Sequence, residues 1–279
     1  KNYILPRFYG LKSFGKPSKD ELKNKITETQ DIKYTGLLRN HQEFIVDKIL
    51  KGFKKNSGGL LIAGCGIGKT NMAIYIACHL NVKTLFVAHK QFLLNQITDR
   101  IKTTTNVGHV GLIRQKKFDV NSPFVVGMVN SLCRREYNMN EMEKFDLIVI
   151  DEVHHMGAKF FSTFFKKYTA KYMLGISAEN KRNDGTFKLI KWYMGPVLHR
   201  EPQKPNDMVI VKKIFFRTNS IKNIEMVYTK FNNEPNRPAM ITNLAKIKLR
   251  NRFIYNLTNL LADKGRNISE KGRKVYYIS

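Results

Sequence analysis

Two short stretches carry residues able to do chemistry together. The first is Ala63-Gly64-Cys65-Gly66-Ile67-Gly68-Lys69-Thr70. Glycines at 64, 66 and 68 let the backbone turn tightly, so that its N–H groups converge on phosphate oxygens. Lys69 supplies a cation for β- and γ-phosphates, and Thr70 a hydroxyl for Mg2+. The usual first glycine of the G-x-x-x-x-G-K-[ST] pattern is Ala63 here. The second stretch is Asp151-Glu152-Val153-His154-His155. An aspartate can hold Mg2+, largely through water. A neighbouring glutamate can polarise the water that attacks a phosphoryl group. Adjacent histidines suit zinc poorly, and no further ligands stand at zinc spacing. The chemistry indicated is transfer of a nucleotide's terminal phosphoryl group to water.

The flanking residues say which elements must hold these groups. An apolar run at 60–62 enters the glycine-rich turn, and an amphipathic stretch at 71–80 leaves it. That is the strand, loop and helix a phosphate-binding loop requires, with the helix dipole favouring negative charge. Four apolar residues at 147–150 run into Asp151. In a parallel sheet this places both carboxylates at the carboxyl end of a buried strand, beside the loop. Further strands are expected at 84–88, 109–113, 124–128 and 172–178, with helical stretches between them. This alternation predicts an α/β fold with a parallel sheet flanked by helices.

Gln42 opens a helix expected to run through Leu50. Its amide could read the two-sided edge of adenine, but by itself the position reads as solvent-facing. Lys90, Asn130 and Ser131 stand just past strand ends, where polar groups can hold a phosphate backbone. Helix capping explains Asn130 or Ser131 equally well. Residues 181–185, with Arg182, read as a polar turn.

The formal net charge is +27 and the sequence pI is about 10.0. That points to a polyanionic partner, most simply nucleic acid. The three cysteines are far apart and form no C-x-x-C pair, which fits a reducing, cytoplasmic compartment. No apolar run reaches membrane-spanning length and no signal peptide is visible, so no membrane partner is expected. Residues 1–35 read as an irregular N-terminal arm packed on the main domain, with a short helix near 19–25. Residues 36–200 read as the nucleotide-binding domain. From 201 the texture becomes a linker, then strands at 208–216 and 225–231, then a long amphipathic helix. A final strand at 274–279 reads as the opening of a second α/β domain, cut short. The chain begins at Lys1 and reads as a fragment.

Gln42 and the segments 63–70, 87–96, 129–132, 151–155 and 175–185 occur in the order of the superfamily 2 helicase motifs. The stretch 36–195 resembles the first RecA-like domain of those enzymes, and Asp-Glu-Val-His resembles their DEAD/DEAH motif. Residues 174–185 and Leu38-Arg39-Asn40-His41-Gln42 are similar to the excision-repair helicase type. Residues 5–11 resemble the N-terminal region of transcript-release DNA helicases of poxviruses and other large cytoplasmic DNA viruses. The resemblance implies ATP and Mg2+ as cofactors and adenine recognition by Gln42. It implies catalytic roles for Lys69, Asp151, Glu152, His154 and Ser177, and nucleic-acid contact by Lys90, Asn130, Ser131 and Arg182. Transcription machinery is a further implied partner. Ser177-Ala178-Glu179 departs from the family's Ser-Ala-Thr. The expected function is a DNA helicase or translocase motor whose second domain supplies arginine fingers. An RNA helicase and a nucleotide-gated binding module without turnover are the alternatives. His154 in place of alanine disfavours the RNA-type DEAD pattern.

Overall fold

The structure, a computed structural model, describes residues 4–22, 30–178, 186–202, 215–216, 225–229 and 233–269. In chain order, α1 (Arg7–Phe14) and α2 (Asn40–Asn56) precede β1 (Gly58–Ile62), α3 (Lys69–Leu80), β2 (Thr84–Ala88) and α4 (Gln91–Thr104). Then follow β3 (Gly111–Arg114), β4 (Lys117–Asp119), β5 (Phe124–Met128), α5 (Val129–Arg134), α6 (Met139–Met142) and β6 (Leu147–Ile150). A 3-10 turn at Val153–His155, α7 (Ala158–Lys167), β7 (Tyr172–Ser177), α8 (Thr186–Met194) and β8 (Val197–Arg200) complete the sheet region. The eight strands form one sheet in the order β4-β3-β5-β2-β6-β7-β1-β8. All neighbours are parallel except the β3–β4 hairpin. This is a RecA-like α/β fold.

The strands read as continuous apolar runs because both faces are covered. Within each strand successive side chains point to opposite faces. Leu61, Phe86, Val149 and Leu174 join the layer made with Ile45, Ile49, Met72, Ile76 and Ile97 of α2, α3 and α4. Leu60, Leu85, Ile148 and Met173 join the opposite layer, with Leu132, Phe161, Phe164 and Ile190 of α5, α7 and α8.

The arm packs on the main unit, and its described helix is α1 (Arg7–Phe14). Tyr9 sits 5.0 Å from Trp192 of α8, and the Arg7 guanidinium donates to the carbonyls of Ala170 and Lys171 at 3.1 Å each. Residues 19–22 are not helical, and 23–29 lie outside the described residues. Two strands escaped the sequence reading. β4 has only three residues, and β8 follows directly on Gly195-Pro196, which reads as a terminator.

The chain divides into two compact units, 1–203 and 204–279. In the second, the expected long amphipathic helix is α10 (Lys248–Ser269), which carries Phe253, Ile254, Leu257, Leu260 and Leu261, and a separate short helix, α9 (Arg237–Ala245), precedes it. The Asn236 side chain caps α9 by accepting the Ala239 N–H. Of the strand expected at 225–231, the described residues 225–229 form a single bridge, Tyr228 with Pro235, and 230–231 lie outside the described residues. The expectations at 208–214 and 274–279 lie outside the described residues. No described helix is long and apolar enough to cross a membrane.

Candidate nucleotide site

The loop at 63–68 leaves β1 at the carboxyl edge of the sheet and ends where α3 begins. Gly66 and Gly68 have φ of 80° and 87°, a region that side chains rarely adopt. Ala63 has no such backbone, which is why alanine can stand there. It continues the strand, donating its N–H to the Ser177 carbonyl at 3.0 Å. Lys69 is 8% exposed, and its ammonium donates to the carbonyls of Ala63 (2.9 Å) and Gly64 (3.1 Å). These bonds hold it over the loop.

Gln42 is 4% exposed, so the solvent-facing reading is corrected. Its Nε2 donates to the Ile67 carbonyl at 2.8 Å, and its Oε1 accepts the Arg39 N–H at 2.9 Å. A Cβ on Gly68 would come within 2.3 Å of that Nε2. The glycine therefore serves both the turn and the close approach of Gln42. An amide has two donor hydrogens and an acceptor oxygen with two lone pairs. Each end of Gln42 thus keeps one further bond to offer.

Asp151 and Glu152 follow β6, but β7 lies between β6 and β1. The carboxylates reach the loop across the end of β7, and Ser177 ends that strand. Asp151 is 6% exposed, donates its N–H to Val87 of β2 and accepts the Glu152 N–H at 2.9 Å. Burial, with Glu152 alongside, pushes its carboxyl up to about 6. The Glu152 N–H and Lys69 act in the opposite direction. Glu152 has φ of 46°, an uncommon conformation for a side-chain-bearing residue outside glycine, asparagine and aspartate. Its Oε2 lies 3.2 Å from His154 Nδ1 and 3.3 Å from the Ala178 N–H.

Three imidazoles adjoin this carboxylate. The rings of His154 and His155 are 4.1 Å apart, and those of His155 and His89 are 4.7 Å apart. Burial, then His155 and Lys90, hold His89 below its ordinary range. Sequence reading missed His89, because only the sheet order brings it to His155. Among the described residues no three His, Cys, Asp or Glu side chains converge to hold a metal.

A cavity of about 610 Å3 opens over the loop. Gly66, Lys69, Thr70, Asp151 and Glu152 line it, and α4 adds Gln96, Asp99 and Arg100. The α4 lining was also missed, since packing beside α3 puts it there. The cavity fits a nucleotide with Mg2+. A Cβ at Gly64 or Gly66 would meet nothing within 4 Å, which leaves the loop backbone open to phosphates. Thr70 and Asp151 bring hard oxygen donors to the same space, the chemistry Mg2+ requires.

Farther along the carboxyl edge, Lys90 and Asn130 are exposed past β2 and β5. Ser131 is buried, and its Oγ accepts the Gln115 N–H at 2.8 Å. Its expected place on the surface is therefore corrected. Neither residue caps α5, whose N-cap is Met128 without a side-chain bond. Arg182 and Glu179 lie outside the described residues.

A family profile described as "Type III restriction enzyme, res subunit" (ResIII) matches residues 35–182, more than half of the chain. The chain belongs to this family. ResIII is a helicase-domain family, so the superfamily 2 resemblance holds for the stretch that carries the site. A protein of Acanthamoeba polyphaga mimivirus, bearing the name of an ATP-dependent RNA helicase, is 53% identical over 269 residues. The match covers 96% of this chain and 52% of that protein. The "DNA 3'-5' translocase XPB2" of Sulfurisphaera tokodaii is 28% identical over 164 residues, covering 59% of this chain and 36% of that one. The UvsW helicase of bacteriophage T4 superposes with a TM-score of 0.48 at 16% identity, over 63% of this chain and 64% of that one. The chain spans about half the length of the mimivirus relative and about a third of the archaeal one.

Proposed function

We propose that the chain carries the nucleotide-hydrolysing part of an ATP-dependent DNA helicase or translocase. The observation that carries this reading is the meeting of Lys69, Thr70, Asp151 and Glu152 on one cavity. In this reading residues 36–200 are the ATP-binding domain and 1–35 an arm upon it. Residues 201–279 are a linker and the opening of a second domain, in keeping with a mimivirus relative about twice as long.

Phosphoryl transfer asks a protein for positioning and charge stabilisation more than covalent chemistry. The amides of 64–68 and the Lys69 ammonium bind the β- and γ-phosphates. Thr70 and Asp151 would hold Mg2+, which would neutralise phosphate charge there. Glu152 takes a proton from the attacking water, and its carboxylate is aimed by His154 and the Ala178 N–H. Ser177 holds His154 in turn. Gln42 uses its remaining donor and acceptor on adenine. Lys90, Asn130 and Arg182 contact the nucleic-acid backbone. The free thiols of Cys65, Cys78 and Cys133 accord with a cytoplasmic setting, the mimivirus relative accords with a viral one, and the role proposed there is in transcription or DNA processing.

A second reading, RNA as the polymer, is favoured by the name of the 53%-identical relative. Phosphate release by the full-length protein, measured with matched DNA, RNA or neither, separates the two. Greater stimulation by DNA is expected. Stimulation by RNA alone would transfer the assignment to RNA. Release unaffected by Glu152→Gln would overturn the site.

A further inference from the structure

β3 runs parallel to β5, so the turn joining β3 to β4 emerges at the carboxyl edge of the sheet. That edge also carries the phosphate loop, Asp151, Lys90 and Asn130. The turn is Gln115-Lys116, flanked by Arg114 and Lys117, and all four residues are exposed. Among the described residues none of the three cations forms an ion pair.

Three features of this turn work against its stability in isolation. Arg114 and Lys117 are direct partners across the hairpin, and like charges so placed repel. Gln115 has φ of 52°, where a two-residue hairpin ordinarily uses glycine or asparagine. The turn also gathers three cations within four consecutive exposed residues. The surrounding structure nevertheless fixes it from both sides. Ser131 accepts the Gln115 N–H at 2.8 Å, and the Tyr137 hydroxyl donates to the Gln115 carbonyl at 2.9 Å. Tyr137 in turn stacks on Phe118 of β4, with centroids 5.0 Å apart and planes 13° from parallel. Strain retained by specific tethers marks a conformation that is used.

We propose that the β3–β4 turn is a docking point for the sugar–phosphate backbone of nucleic acid. Arg114, Lys116 and Lys117 supply the charge, and Ser131 is the positioning residue that holds the turn beside Asn130. Phosphates between the opposed cations relieve their repulsion. The contact carries no sequence information, because it reaches phosphates rather than base edges. This inference rests on the reading of the chain as a nucleic-acid motor.

The test titrates the whole chain with a labelled oligonucleotide duplex across a salt series. Lys116→Ala with Lys117→Ala is compared with Lys54→Ala with Lys55→Ala. The second pair removes equal charge from the exposed end of α2, at the opposite edge of the sheet where β1 begins. The turn variant is expected to bind about tenfold more weakly, and its log–log salt slope to become shallower by about 2, roughly one for each phosphate no longer neutralised. The α2 variant is expected to stay near the parent on both measures. Ser131→Ala removes no charge, yet it is expected to make the slope shallower with the native circular-dichroism spectrum retained. Equal weakening in the two charge variants would overturn the turn's role while leaving the nucleic-acid reading in place. An unchanged slope in Ser131→Ala would overturn the positioning role. A parent chain that shows no salt-dependent binding would overturn the motor reading, and the docking point with it.

Discussion

The Ser177 hydroxyl lies 2.9 Å from Nδ1 of His154, joining the end of β7 to the turn after β6. The same Nδ1 is 3.2 Å from the Glu152 carboxylate. A carboxylate only accepts, so this second contact requires the hydrogen on Nδ1. One imidazole nitrogen thus ties the water-activating candidate to the strand that separates it from the phosphate loop.

Ser177→Ala is expected to lower unfolding free energy by about 0.5–1.5 kcal/mol, the net worth of such a bond. In a double-mutant cycle with His154→Ala the two effects should not add, because both remove one shared bond. Urea unfolding measures all three variants. Strict additivity would mean that the bond contributes nothing.

Asp151→Asn should stabilise the protein above neutral pH when Mg2+ is chelated. The Asp151 carboxyl titrates near 6 in the fold against an ordinary value of 3.8. Between those values the folded state binds the proton and the unfolded state does not, so stability falls as pH rises through the interval. Above about 6 the buried charge costs on the order of 3 kcal/mol. Melting curves should show the variant ahead at pH 8 and level with the parent near pH 3. A gain of equal size at both ends would remove the titration as its cause.

Gly68→Ala is expected to destabilise by about 1–2 kcal/mol from the left-handed backbone alone. Displacing Gln42 from the Ile67 carbonyl costs a further amount of about 1 kcal/mol. Adding Gln42→Ala to Gly68→Ala should cost less than Gln42→Ala costs the parent, since the clash at Nε2 is then absent. Thermal melts of the two single variants and the pair decide this.

Lys69→Ala should weaken binding of a fluorescent ATP analogue by roughly 1.5–3 kcal/mol, the worth of charge-assisted contacts. Glu152→Gln should leave that affinity near the parent value, since the amide keeps the shape and gives up only the ability to take a proton. Equilibrium titration of both variants tests the division of labour. Unchanged affinity in Lys69→Ala would remove the loop from the phosphates.

The loop and the carboxylates are legible in the chain alone, because each is a local pattern. Glycines at the left-handed positions, a lysine at the first turn of α3 and four apolar residues before Asp151 need no distant partner to be read. The parallel sheet followed from the same local signals, since strands covered on both faces show as unbroken apolar runs. Tertiary structure alone decided the order of the strands, and with it what the loop meets. It set β7 between β6 and β1 and so brought Ser177 to His154. It also brought His89 to His155 and α4 to the cavity. Gln42 and Ser131 show the limit most plainly. Both read as surface groups, yet each is buried on a backbone far along the chain: Gln42 on Ile67 and Ser131 on Gln115. Side-chain periodicity reports which face of an element is apolar. It carries no information about which backbone group a polar side chain will reach, because that depends on the packing of elements distant in sequence.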